Sequence, residues 1–357
     1  MEFVKETSPH VKRKDNLNWM LLDVIIALAP VLICAFVYYP LDALRTVPLS
    51  IVTMELCEFL FVIITKKSWK EFKLYHFLSA LISALIFSLM MPSNPGWESG
   101  MGYWIVIASA AIGIILGKLL FGGFGQNIFN PAALGMVIAR LGWSGFMADS
   151  TPNFASDVMA GATPLEYGKT FSNIANANLF DLFMGRYPAA LGEALSFAIL
   201  LGLIYLLVRK TIDWRVVVGY AGTFIALALV AGIIVNVKLP SVSFLKFTVY
   251  QIFSGGFLFC CVFMITDPVT GPTTSPARFI FGAFGAIVAI FIRFFAAAPE
   301  GVAYGILFAN MIAPVLDYPQ WASQKWKKWH WITLGSLVGV ALLVVILVFS
   351  LKEGFVA

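Results

Sequence analysis

The chain has 357 residues, of which 60% are hydrophobic and 12% charged, with a net charge of +5 and a mean hydropathy of +0.88. Soluble domains carry about a quarter of charged residues, so the composition excludes a water-soluble globule and requires a polytopic membrane protein. No basic stripe with interleaved aromatics is present, which excludes nucleic acid as a partner.

A helix needs about 20 apolar residues to cross the hydrocarbon layer. Ten or eleven such segments are predicted, near 19–39, 46–65, 74–91, 103–121, 130–148, 188–208, 216–235, 247–265, 279–297, 302–316 and 331–351. The expected fold is all-α, with a polar tail over 1–18 that holds no cleavable signal, one transmembrane domain over 19–351, and a short tail over 352–357. Basic residues favour the cytoplasmic side. With the N-terminus inside, alternate loops collect 16 Lys and Arg inside and seven outside, with Arg140 left in a span. That bias places the long polar interval 149–187 outside the cytoplasm.

Ionisable residues within spans are functional candidates by default. Glu55 and Glu58, three apart in the second span, share one helix face. Asp23, Lys118, Arg140, Glu193 and Arg293 lie nearer span ends, where snorkelling to the surface is the cheaper explanation. The four cysteines (Cys34, Cys57, Cys260, Cys261) are apolar packing residues without the spacing of a metal site, and no metal is expected.

Between the fourth and fifth segments, Gly122-Gly123-Phe124-Gly125-Gln126-Asn127-Ile128-Phe129-Asn130-Pro131 breaks any continuous helix. Broken backbone at membrane depth is tolerated where it lines a cavity or is buried in protein. Asn127 and Asn130 each offer a donor and an acceptor, which fits either a flavin or quinone edge or a turn capped by Asn. The outside loop carries Asp157-Val158-Met159-Ala160-Gly161-Ala162-Thr163-Pro164, where small residues leave the Thr163 hydroxyl open to a modifying enzyme; an ordinary turn has the same composition. Phe154, Phe171, Phe180 and Phe183 predict that this loop folds back onto the membrane surface or a partner. A further break spans Thr266-Asp267-Pro268-Val269-Thr270-Gly271-Pro272, and another runs from Glu300-Gly301 through Asn310 and Pro314 to Asp317. Broken helices in both halves predict two inverted repeats, with the breaks at the binding sites.

Taken together and in order, these four stretches resemble the NqrB/RnfD family, the membrane subunits of ion-translocating redox complexes, over about residues 19–317. The short N-terminus favours the RnfD branch, found in Rnf ferredoxin:NAD oxidoreductases. The resemblance implies FMN joined through its phosphate to Thr163 by a flavin transferase, with Asp157, Gly161 and Ala162 as the remainder of its recognition motif. Ala160 departs from the pattern, which has Ser or Thr there. It implies a non-covalent riboflavin at Asn127 and Asn130, and an ion or proton pathway near Glu58, Asp267 and Asp317. It further implies electron relay between the two flavins, Na+ or H+ transport across a bacterial inner membrane, and RnfA, RnfB, RnfC, RnfE and RnfG as partners besides lipid. The competing readings are an NqrB-type subunit passing electrons to quinone, a flavin-free solute channel or transporter, and a structural scaffold. No complete catalytic centre is expected in the chain alone.

Overall fold

The computed structural model describes residues 17–147, 171–296, 301–320 and 322–351. Its helices are α1 Leu17–Tyr38, α2 Pro40–Lys66, α3 Leu74–Met90, α4 Met101–Gly117, α5 Pro131–Gly142, α6 Leu179–Met184, α7 Ser196–Arg209, α8 Trp214–Lys238, α9 Phe244–Phe253, α10 Phe257–Phe263, α11 Ser275–Phe295, α12 Val302–Leu316 and α13 Lys328–Leu351. Every predicted span meets a helix. Six are long and apolar enough to cross a membrane: α1, α2, α8, α11 and α13, and α4 when carried on to Phe121. α9 and α10 pass the same test only as a pair, bent by 55° at their junction. The remaining four, α3, α5, α7 and α12, are apolar but shorter, at 10–17 residues. Of these, α5 starts and α12 ends at a break read from the sequence.

The helix contacts repeat. In the first half α3 packs on α1 and α2, α4 on α2, and α5 on α4 and α3. In the second half the bent pair replaces α3: α10 packs on α7 and α9 on α8, while α11 packs on α8 and α12 on α11 and α10. The two halves meet through α1 on α7 and through α5 on α12. Each of those pairs joins a helix to its own counterpart, as a two-fold axis between repeats requires. α13 lies outside this scheme, against α8 and α11.

Without a hydrophobic drive between helices in lipid, close backbone approach needs small residues. A Cβ on Gly113 would stand 2.7 Å from the Gly135 Cα, so α5 lies directly on α4. The counterpart contact is the same in kind, with a Cβ on Gly305 standing 2.6 Å from the Gly285 carbonyl oxygen between α12 and α11.

Snorkelling does not describe four of the five ionisable residues near span ends. Asp23, Lys118, Glu193 and Arg293 are all buried. Asp23 accepts from the Tyr205 hydroxyl, the Arg209 Nε and the Thr211 hydroxyl, clamping α1 to the end of α7. Arg293 donates to the Gln251 carbonyl oxygen and lies over the Phe224 ring. Desolvated ions need such partners because each alone costs several kcal/mol inside protein, roughly.

The described part of the long polar interval 149–187 lies on the chain's own helices. A six-residue turn over Phe171–Asn176 leads into α6, whose start is capped by Asn178 and whose end is Gly185 at φ +75°. The Tyr38 hydroxyl donates to the Met184 carbonyl, the Tyr39 hydroxyl to that of Tyr187, and Lys246 to that of Ala175. Phe183 meets Phe253 edge to face, whereas Phe180 is 59% exposed. Asp157, Ala160, Gly161, Ala162 and Thr163 lie outside the described residues.

Candidate functional site: a pocket between two broken helices

The first break begins where Lys118 closes α4. A short 3-10 turn over Leu119–Phe121 follows, then Gly122, Gly123 and Gly125 at φ of +122°, +88° and +82°. Only glycine holds these values without strain. At Gly123 space is also short, because a Cβ would stand 2.8 Å from the Phe61 ring. Gly123→Ala is therefore expected to cost about 1–2 kcal/mol from the left-handed backbone, read as a lowered unfolding temperature of the detergent-solubilised protein. The turn ends at Asn130, whose side-chain oxygen accepts from the Ala132 and Ala133 N–H groups while Pro131 opens α5. Asn130 is thus a helix cap, the structural alternative open in the sequence.

Asn310 on α12 ties this break to the second one. Its Oδ1 accepts from the Asn130 backbone N–H at 3.1 Å, and its Nδ2 donates to the Thr270 carbonyl at 3.3 Å. It is 1% exposed. Asp267 folds the second break on itself, accepting from the Val269 N–H and the Thr270 hydroxyl. Asp317 accepts from the Thr273 N–H with both oxygens, at 3.0 and 2.9 Å, and so anchors the far end of the same loop.

Between the two breaks lies a pocket, partly open at its mouth. α1, α3 and α7 supply apolar walls, while the breaks supply Phe124, Asn127, Asn130 and Asp267. Asn127 carries the informative atom. Its Oδ1 is buried with no hydrogen-bond partner among the described residues, and a buried acceptor left unmade costs about 1–3 kcal/mol. Asn127 therefore presents an acceptor on the pocket lining. Hydroxyls of Ser79 and Ser83, one turn apart on α3, stand on the opposite wall.

Behind that wall is a buried ion cluster. Glu58, two turns before the end of α2, faces Lys118 Nζ at 2.9 Å and His76 Nδ1 at 3.1 Å, both carboxylate and ammonium being fully buried. The carboxylate can only accept, so Nδ1 is the protonated nitrogen of His76. Lys118 Nζ also donates to the Ser79 Oγ at 3.0 Å. The Glu55 carboxylate, on the same face of α2, has no hydrogen-bond partner among the described residues.

Of the residues expected at the site, Asn127, Asn130 and Asp267 come together on the pocket; Glu58 lies behind it, and Asp317 is off it. His76, Ser79 and the true role of Lys118 went unread. The Ser79/Ser83 pair at four-residue spacing was the available signal, a hydroxyl stripe on an otherwise apolar helix. Among the described residues no group of three or more His, Cys, Asp or Glu could hold a metal.

The chain is similar to the D component of the Na(+)-translocating ferredoxin:NAD(+) oxidoreductase complex of Acetobacterium woodii, at 28% identity over 314 residues, which cover 87% of this chain and 91% of that protein. It is 29% identical over 348 residues to the D component of the ion-translocating oxidoreductase complex of Mannheimia succiniciproducens, covering 87% and 94%. Against the B component of the Na(+)-translocating NADH-quinone reductase of Ectopseudomonas mendocina the identity is 32% over 243 residues, but these cover only 66% of this chain and 58% of that protein. Residues 4–325 match the family model throughout, and the chain belongs to the NQR2, RnfD, RnfE family.

Proposed function

We propose that this chain is the membrane subunit of a bacterial ion-translocating ferredoxin:NAD oxidoreductase, with its N-terminus cytoplasmic and its 149–187 loop outside. In this reading it carries FMN as a phosphoester on Thr163 and a non-covalent riboflavin in the pocket between the two breaks. The observation that carries the reading is the Asn127 side-chain oxygen, buried without a donor among the described residues on the wall of the pocket, which fits the imide N–H of an isoalloxazine ring. Near-complete coverage of the two D components favours this branch over the quinone-reducing one.

Bound flavin supplies the redox chemistry, while the protein supplies binding, orientation and electrostatics. Asn127 holds the ring edge, and Asn130 sets Asn127's place by capping α5. The apolar walls from α1 and α3 exclude water. Asp157, Gly161 and Ala162 present Thr163 to a flavin transferase. Electrons pass through the relay from a neighbouring subunit, with RnfA, RnfB, RnfC, RnfE and RnfG as the partner set. Glu58, Asp267 and Asp317 are the candidates for the Na+ or H+ pathway; Asp267 is the one on the pocket wall, since Lys118 and His76 engage Glu58 and Asp317 holds a loop.

The test uses the purified complex. The denatured 39.2 kDa band should fluoresce under ultraviolet light, and Thr163→Val should remove that fluorescence. Acid extraction should release riboflavin from the natural complex, and Asn127→Leu should reduce it at least tenfold. Absence of both flavins from the natural complex, matured beside an active transferase, would overturn the reading. Riboflavin without the covalent signal would mean that Ala160 has broken the transferase motif.

A further inference from the structure

The Lys118 ammonium has no contact with water, yet it sits one hydroxyl away from the pocket. Its Nζ donates to the Ser79 Oγ at 3.0 Å, and Ser79 lines the cavity. A hydroxyl that accepts from an ammonium keeps its own proton to donate elsewhere. Ser79 does not use that proton toward any described residue, so it is available to an occupant. Lys118 Nζ also stands 5.8 Å from the centre of the Phe124 ring, a second piece of the pocket wall. Of the opposing charges, Glu58 meets Lys118 at 2.9 Å but does not line the cavity, whereas Asp267 lies on the pocket wall. The buried pair is thus a fixed dipole with its positive end toward the pocket. In a site of low dielectric such a dipole acts strongly, and it needs no reorganisation when charge appears.

We propose, resting on the assignment of this pocket to riboflavin, that Lys118 acting through Ser79 sets the reduction potential of the bound ring. When the preceding flavin of the relay loses one electron and the ring gains it, with no proton following, the ring carries one added negative charge. The Ser79 hydroxyl, polarised by Lys118, stabilises that charge and makes the one-electron step more favourable. Lys118 is a positioning residue here, since it reaches the ring only through Ser79 and the field. Glu58 has a supporting role: its carboxylate offsets the burial of the Lys118 ammonium and lies off the cavity lining.

The experiment is a spectroelectrochemical titration of riboflavin in the intact purified complex, with riboflavin content measured in the same samples. Lys118→Met is expected to lower the one-electron equilibrium constant about tenfold, read as a midpoint about 59 mV more negative. Ser79→Ala, which leaves the ion pair in place, should move it the same way by less, and Lys118→Arg should restore most of it. Should Lys118→Met fail to assemble, Ser79→Ala decides. Unchanged midpoints with full riboflavin content in the assembled variants would overturn the proposal. Absence of riboflavin from the natural complex would instead remove the assignment on which it rests, and content shows that before any potential is read.

Discussion

Glu58→Ala is expected to destabilise the subunit by about 3–5 kcal/mol, the penalty for leaving one member of a buried ion pair without its partner. Lys118 would then keep the Ser79 hydroxyl and the Phe124 ring, with no carboxylate in direct contact among the described residues. The loss should appear as a sharply lowered thermal midpoint in detergent and as a poor yield of assembled complex. The double replacement Glu58→Leu with Lys118→Met removes both charges together, and it should recover most of that loss, because a buried pair and an apolar pair of similar volume are close in free energy. The recovery separates an ion pair from two independent packing effects, which would add. An additive double variant would show that the two side chains do not stabilise one another.

The recovered double variant also bears on why the pair exists. If apolar residues serve stability as well, the ion pair is kept for something else, and its orientation toward the pocket supplies that role. The two tests are therefore complementary: stability returns in the double variant, whereas the flavin potential should not.

Much of the architecture could be read from the chain. Apolar runs of about 20 residues marked every helix but the short α6, and clusters of Gly, Asn and Pro marked the breaks at 122–131, 266–272 and 300–317 but not the bend between α9 and α10 inside the span expected over 247–265. The length of the short crossings was less legible. α5 closes at Gly142, well short of the apolar run's end, since Trp143, Ser144 and Gly145 satisfy the hydropathy pattern without continuing the helix. Side-chain partnership across the chain was not legible. Lys118 reads as a snorkelling residue from its place beside a Gly-rich turn; its partner Glu58 is sixty positions away, and only packing α2 against α4 brings them together. Asn130 has the opposite history. The Asn-Pro pair is a local cap signal, and the cap is what its side-chain oxygen makes, leaving Asn127 as the amide with an unmet acceptor.

The second large effect is expected at Asn310. Asn310→Leu keeps the branched shape and the number of side-chain heavy atoms, though it is larger, and withdraws an acceptor from the Asn130 N–H and a donor from the Thr270 carbonyl, both in a buried place. Unsatisfied buried groups cost about 1–3 kcal/mol each, so a loss of about 3 kcal/mol is expected in thermal or denaturant unfolding. The effect on binding should be larger than for other core changes of equal cost. Asn310 is the side chain that fixes the first break to the second, and these breaks form facing parts of the pocket. Once they move apart, a ligand must spend part of its binding free energy on bringing them together again. If that cost is about 2 kcal/mol, riboflavin should bind roughly thirtyfold more weakly. Asp317→Ala supplies the comparison. It frees the Thr273 N–H at the exposed end of the same loop, so it should lower stability by about 1 kcal/mol and leave riboflavin content near normal. Equal loss of riboflavin in both variants would mean that the whole loop, and not the clasp between the two repeats, holds the pocket together. Selective loss in Asn310→Leu would place the flavin site where the two-fold relation of the fold brings both breaks into contact.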